Sequence, residues 1–338
     1  MTLRLSVLDQ SIWTAGRGED HALRDTLDLA VHCESLGYSR FWVSEHHGLP
    51  TIVGSAPEIL LAAIAARTQR IRIGSAGVML PHYSALKVAE QFRVLDALAP
   101  GRIDLGVGRA PGSDMRTAQA LNPNAAHAAD QFPQQVIDLQ AWTRGHRHQG
   151  INAHPRPPGE PGAAFERAPD IWMLGSSDYG AQLAAHLGLP YAFAYFFMDG
   201  QGAEHALSLY RELYRPSDRH ARPRPTICVW ALAADTDEEA RHHALSRERW
   251  RLDRQRGVLG ALQAPDDIAA RGFSADELAT LEPMRQRALV GSAANVGRMI
   301  RELAASFDLA EIVVNTWAHE PAVRRHSYAL LAREFGLA

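Results

Sequence analysis

The chain repeats one unit eight times: a short run rich in β-branched and aromatic residues, a loop, then a stretch with helical spacing. The β-rich runs cover residues 3–8, 40–44, 71–80, 102–107, 171–174, 191–196, 225–233 and 311–315. Helical stretches follow at about 20–35, 55–68, 85–98, 128–143, 179–187, 204–214, from 236 onward, and 321–335. Within 85–98, Val88, Phe92, Leu95 and Leu98 recur at helical spacing. Ser55-Ala-Pro-Glu58 has the form of a capping box. Val296, Met299, Ile300 and Leu303 mark a further helix behind Ser292. Strands alternating with helices imply a parallel sheet, and eight units fit a closed (β/α)8 TIM barrel better than an open doubly wound sheet.

No linker divides the chain, so residues 1–338 read as one domain with two insertions in the second half. Residues 145–168 are rich in Pro, Gly and His, and residues 254–290 carry Pro265, Pro283 and scattered charges. These two stretches are expected to set the substrate. The charge-dense helix from Glu238 to Arg256 reads as a solvated face.

Composition excludes several classes. Lys plus Arg is 35 and Asp plus Glu is 38, a formal net charge of −3, which argues against a polyanion such as nucleic acid as partner. Cys33 and Cys228 cannot build a disulfide framework and lack zinc spacing, so a reducing cytoplasmic setting is the simple reading. The first residues do not look like a signal peptide, and no apolar run reaches the ~18 residues of a spanning helix. The 16 His residues invite a metal reading. His46, His47 and His82 could then serve a metal-dependent barrel hydrolase.

In a barrel of this kind, function collects at the C-terminal ends of the strands. Those ends carry Asp9-Gln10, Glu45-His46-His47, Met79 to His82, Gly108-Arg109, Gly175-Ser176-Ser177, Tyr195-Phe196, Trp230, Asn315 and Trp317. Arg109 and the Gly175-Ser176-Ser177 turn at a helix start suit an anion. The same residues also fit a glycine turn, a helix cap and a surface arginine. Successive strand residues point to opposite sides, so at most one of His46 and His47 faces the mouth, which makes the pair a poor metal site. Gly74-Ser-Ala-Gly77 inside a strand signals the close approach of another backbone or a flat ligand, or barrel packing of small against large residues. Gly106-Val-Gly108 lacks a third glycine, with Pro111 in its place, and there is no Walker motif, nucleophile elbow or His-Glu-x-x-His.

Phe41-Trp-Val-Ser-Glu-His-His47, Ile73 to Pro81, Lys87-Val-Ala-Glu-Gln-Phe92, Pro100-Gly-Arg102 and Leu105 to Asp114 stand in the order and context of one family. Together with Trp172 to Pro190 and Val290-Gly-Ser292, they resemble the bacterial luciferase-like flavin-dependent monooxygenases, in particular the alkanal-monooxygenase-like group. The resemblance covers nearly the whole chain. It implies a barrel holding FMN at its C-terminal mouth. Arg109 and Ser176 would bind the phosphate, with Gly175, Ser177 and Tyr179 close by, and Ala76 and Gly77 would border the ring across a non-proline cis bond. His46 would be the functional histidine, assisting proton movement or stabilising a flavin C4a-peroxide, and Glu45 would lie below the flavin. Trp13, His82, Tyr195, Phe197 and Trp317 would line the substrate space.

The resemblance further implies that a separate NAD(P)H:flavin reductase supplies reduced FMN. The other reactants would be O2 and a small organic substrate, and the chain would form a homodimer through first-half helices. Gly108 stands where luciferases have cysteine and Gly175 where they have a carboxylate, which argues against light emission. Two other readings share the fold: a deazaflavin (F420)-dependent oxidoreductase, and a flavin-binding protein without turnover.

Overall fold

The computed structural model describes residues 3–109, 114–158 and 167–337. Parts of both the Arg109 loop (110–113) and the first insertion (159–166) therefore lie outside the described residues. The eight β-rich runs become β1 (Arg4–Asp9), β2 (Arg40–Val43), β3 (Arg72–Met79), β4 (Ile103–Gly108), β5 (Asp170–Gly175), β6 (Tyr191–Phe193), β7 (Pro225–Ala234) and, last in the chain, β9 (Glu311–Asn315). All neighbours pair in parallel, in the order β6-β5-β4-β3-β2-β1-β9-β7, and β6 also pairs with β7, which closes the barrel.

A ninth strand, β8 (Leu289–Ser292), was not expected. It pairs with Ala231 to Ala234, the far half of β7, while the first half of β7 completes the barrel against β6 and β9. Four residues that include Gly291 and Ser292 carry too little alternation to announce a strand. The capping box at Ser55 is also absent. Pro57 opens its helix, Ala56 takes the N-cap, and Glu58 instead accepts from Gln91 Nε2 at 3.2 Å. The capping box that does form is Ser274 with Glu277, inside the second insertion.

Adjacent strand residues divide between two cores. Val7 and Phe41 pack outward against the helices, while Leu8 and Trp42 turn inward. Inside the barrel, Leu8, Trp42, Trp172, Ala192, Cys228 and Val313 form a plug. Below it, at the strand starts, Arg40 bridges two carboxylates, Asp104 at 2.8 Å and Glu311 at 2.6 Å. Ser6 Oγ donates to Glu311 at 2.6 Å, and Trp42 Nε1 donates to Asp104 at 2.9 Å. Charged pairs seal this end, so the opposite, C-terminal mouth is left for a ligand.

The two insertions go to different places. Residues 145–168 connect helix Phe132–Thr143 to the start of β5, on the sealed side, and their described part meets Arg93, whose Nε donates to the Pro155 carbonyl at 3.1 Å. The other segment runs over the mouth, where a bridge joins Thr14 to Leu262. No helix of the described residues is long and apolar enough to cross a membrane.

Candidate functional site

Two connected cavities occupy the mouth. The smaller, about 250 Å³, is floored by the barrel plug through Leu8, Trp42 and Cys228. The larger, about 930 Å³, lies beside it, and the two share Gln10, His46, Phe196 and Phe197 as their common wall.

β3 and β4 supply one side of the smaller cavity. Their register breaks between Ser75 and Val78, and there the Ala76–Gly77 peptide is cis, as the resemblance implied. The approach is so close that a Cβ on Gly77 would sit 2.8 Å from the Gly106 carbonyl oxygen and 2.4 Å from Leu174 Cδ1. The close approach of another backbone is what the stretch accommodates: Gly74 admits the backbone of Asp104, and Gly77, which also lines the cavity, that of Gly106.

The far end of the same cavity gathers Arg109, Gly175, Ser176, Ser177 and Tyr179. The Arg109 guanidinium lies 4.0 Å over the Tyr179 ring and has no carboxylate partner among the described residues. Ser177 is the N-cap of helix Asp178–His186, yet its side chain makes no cap hydrogen bond. Gly108 and Gly175 face open space. A cation, unspent hydroxyls and the N–H groups of a helix start, around space left by two glycines, fit a phosphate.

Glu45 is buried beside this cavity. Its Oε1 accepts from His47 Nε2 and from the Tyr83 hydroxyl, each at 2.8 Å, and Oε2 accepts from Met79 N at 3.2 Å. Burial and the Glu45 charge push the Tyr83 phenol far above its usual range, so it stays a donor. His46 turns the other way, with Ser44 Oγ 3.2 Å from its Nδ1. Burial, then His47 and Arg254, lower its pKa to about 4, which leaves a neutral imidazole at the wall between the cavities. With His47 committed to Glu45, the described residues hold no group of three or more His, Cys, Asp or Glu placed to hold a metal ion.

Phe197 lies in both cavities and Trp317 in the larger. Trp13, His82 and Tyr195, expected in the substrate space, line neither cavity. The Trp13 indole donates to the Arg17 carbonyl at 2.6 Å. His82 is buried, edge-on to His47 and Tyr83. Tyr195 keeps the outward side shared by Tyr191 and Phe193 of β6 and packs against Phe307, while the next residue, Phe196, lines both cavities.

The expected solvated face on the charged helix is also corrected. Helix Asp237–Gln255 carries Arg247, Trp250, Arg251 and Arg254 into the larger cavity. The second insertion adds Gly257, Leu259 and Arg287, whereas no described residue of 145–168 lines either cavity. Tyr83, Trp250 and these arginines were missed as site residues. A tryptophan amid so many charges was the one available signal.

Comparison with known proteins agrees with this architecture. The family model described as luciferase-like monooxygenase matches residues 4–308. A luciferase-like monooxygenase of Escherichia coli strain K12 is 38% identical over 329 residues, spanning 97% of this chain and 96% of its own. The N-acetyl-S-alkylcysteine monooxygenase of Bacillus subtilis strain 168 is 36% identical over 339 residues, spanning 98% and 97%. The crystal structure of apo-MsnO8 matches with a TM-score of 0.91 at 35% identity, covering 99% of both chains. This chain therefore belongs to the luciferase-like monooxygenase family.

Proposed function

We propose that the protein oxygenates a small organic substrate with O2, using reduced FMN delivered by a separate NAD(P)H:flavin reductase. One observation carries this reading: a phosphate-suited end and an apolar floor belong to one cavity, which opens across His46 and Phe197 into a second, larger one. Arg109, Ser176 and Ser177 would hold the phosphate. Ala76 and Gly77 would support the ring, and Glu45, fixed by three donors, would orient its lower edge.

Reduced FMN, when bound, supplies the electrons with which one oxygen atom of O2 passes to the substrate and the other leaves as water. The chain's task is to exclude water, through Phe196, Phe197 and the aromatic wall beyond them, and to hold a proton donor or acceptor at the junction. His46, neutral at physiological pH, can do the latter at either ring nitrogen.

Exposed Ile59 and Leu98, on helices Pro57–Arg67 and Ala85–Leu98, offer an apolar face for the proposed homodimer. Anaerobic calorimetry with reduced FMN and reduced F420 tests the cofactor. Binding of FMN that F420 cannot displace is expected, and preferential F420 binding would refute the reading.

A further inference from the structure

The larger cavity carries uncompensated positive charge. Arg247, Arg251, Arg254 and Arg287 face it, and Asp199 is the one carboxylate among its lining residues. Asp199 is already engaged, because Arg251 grips it through bonds of 3.0 and 2.7 Å. Arg247 has no such partner. It makes no hydrogen bond or ion pair with a described residue, and stacks 4.1 Å over the Trp230 ring. The two carboxylates that act on it electrostatically are Asp199 and Glu248, and Glu248 is held by Arg285 at 2.9 and 2.7 Å.

Burial, with Arg251 alongside, lowers the Arg247 pKa to about 9, so the group remains a cation at neutral pH. The buried Trp230 indole N–H beneath it likewise has no acceptor among the described residues. Donors therefore exceed acceptors at this wall. A partly desolvated guanidinium without an anion is unfavourable, and a ligand that brings the anion removes that penalty.

We infer that the larger cavity binds an organic anion: an apolar body among Trp230, Trp250 and Trp317, with carboxylate or sulfonate oxygens paired to Arg247. Bidentate pairing suits the planar guanidinium. Phe196 and Phe197 separate this wall from the smaller cavity, so the anionic head lies away from the end of the ligand that meets His46. The assignment rests on the reading of this cavity as the substrate space.

Three probes test it on the intact protein by tryptophan fluorescence and calorimetry: 4-phenylbutyrate, 3-phenylpropane-1-sulfonate and the neutral 4-phenylbutan-1-ol. Tighter binding of at least one anion over the alcohol is expected, by about tenfold or more. Arg247→Gln should erase that preference while leaving the alcohol's affinity unchanged, and Arg247→Lys should keep part of it. Equal affinity of all three probes for the unmodified protein would overturn the inference, a result that needs no variant to fold. So would anions that fail to bind at millimolar concentration, or a preference that survives in a folded Arg247→Gln protein. FMN titration of the same samples separates the two readings: anion preference without FMN binding would sink the cofactor assignment alone.

Discussion

The Arg109 guanidinium lies over the Tyr179 ring at 4.0 Å, at the end of the smaller cavity where Ser176 and Ser177 open a helix. The cation–π contact holds the guanidinium in place without consuming its N–H donors. Arg109→Ala should weaken FMN by about 10- to 100-fold, the worth of a charge-assisted pair. Riboflavin, which has no phosphate, should bind as before. Flavin fluorescence titration measures both, and equal weakening of the two would remove Arg109 from the phosphate site.

His46 should stay neutral across the physiological range. Its pKa of about 4 reflects burial first, then the His47 and Arg254 charges, so protonation sets in only as pH falls toward 4. The imidazole resonances of His46 should therefore titrate far below those of exposed histidines. Arg254→Ala should move that titration upward. The pH–rate profile should show no limb near 6.5 from this residue. His46→Gln should retain more turnover than His46→Lys, and the reverse order would contradict a neutral role.

Gly77 leaves no room for a side chain. Leu174 could rotate away from an added Cβ, but the Gly106 carbonyl at 2.8 Å is backbone and cannot. Gly77→Ala should cost about 1–3 kcal/mol in urea unfolding, as overpacking does. It should also weaken FMN and riboflavin alike, unlike Arg109→Ala. A variant with unchanged stability and flavin affinity would show that the β3–β4 approach yields easily.

The sealed end of the barrel depends on Arg40. Burial would raise the Glu311 pKa, but Arg40 and the hydrogen bonds to Glu311 outweigh it and hold the value below 4.5. A carboxyl depressed in the folded state contributes stability above the ordinary carboxyl range, and that contribution is lost as pH falls through the folded pKa. Stability should therefore decline as pH drops below about 4.5. Arg40→Met leaves buried Asp104 to Arg72 alone and buried Glu311 to Arg4 alone, and should cost up to about 3–5 kcal/mol at neutral pH by urea unfolding.

The barrel was legible because its strands are runs of β-branched and aromatic residues separated by helical periods. The proposed phosphate end was legible because Arg109 and Ser176 sit at strand ends, where topology alone brings them together. Other residues depended on contacts no local pattern encodes. Trp13 lies next to Thr14, whose bridge to Leu262 is nearly 250 positions away in sequence. The arginines of helix Asp237–Gln255 looked solvated because nothing in their spacing shows that the helix turns over the mouth.

The central claim is that this mouth holds reduced FMN and governs its encounter with oxygen. The most direct test saturates the protein anaerobically with reduced FMN, mixes it rapidly with aerated buffer, and follows flavin absorbance alongside free reduced FMN and the Arg109→Ala protein. The account predicts that oxidised FMN appears later on the unmodified protein than in free solution, and that Arg109→Ala shortens the delay. Reduced FMN that binds yet reoxidises at the free rate, or that does not bind, would contradict it.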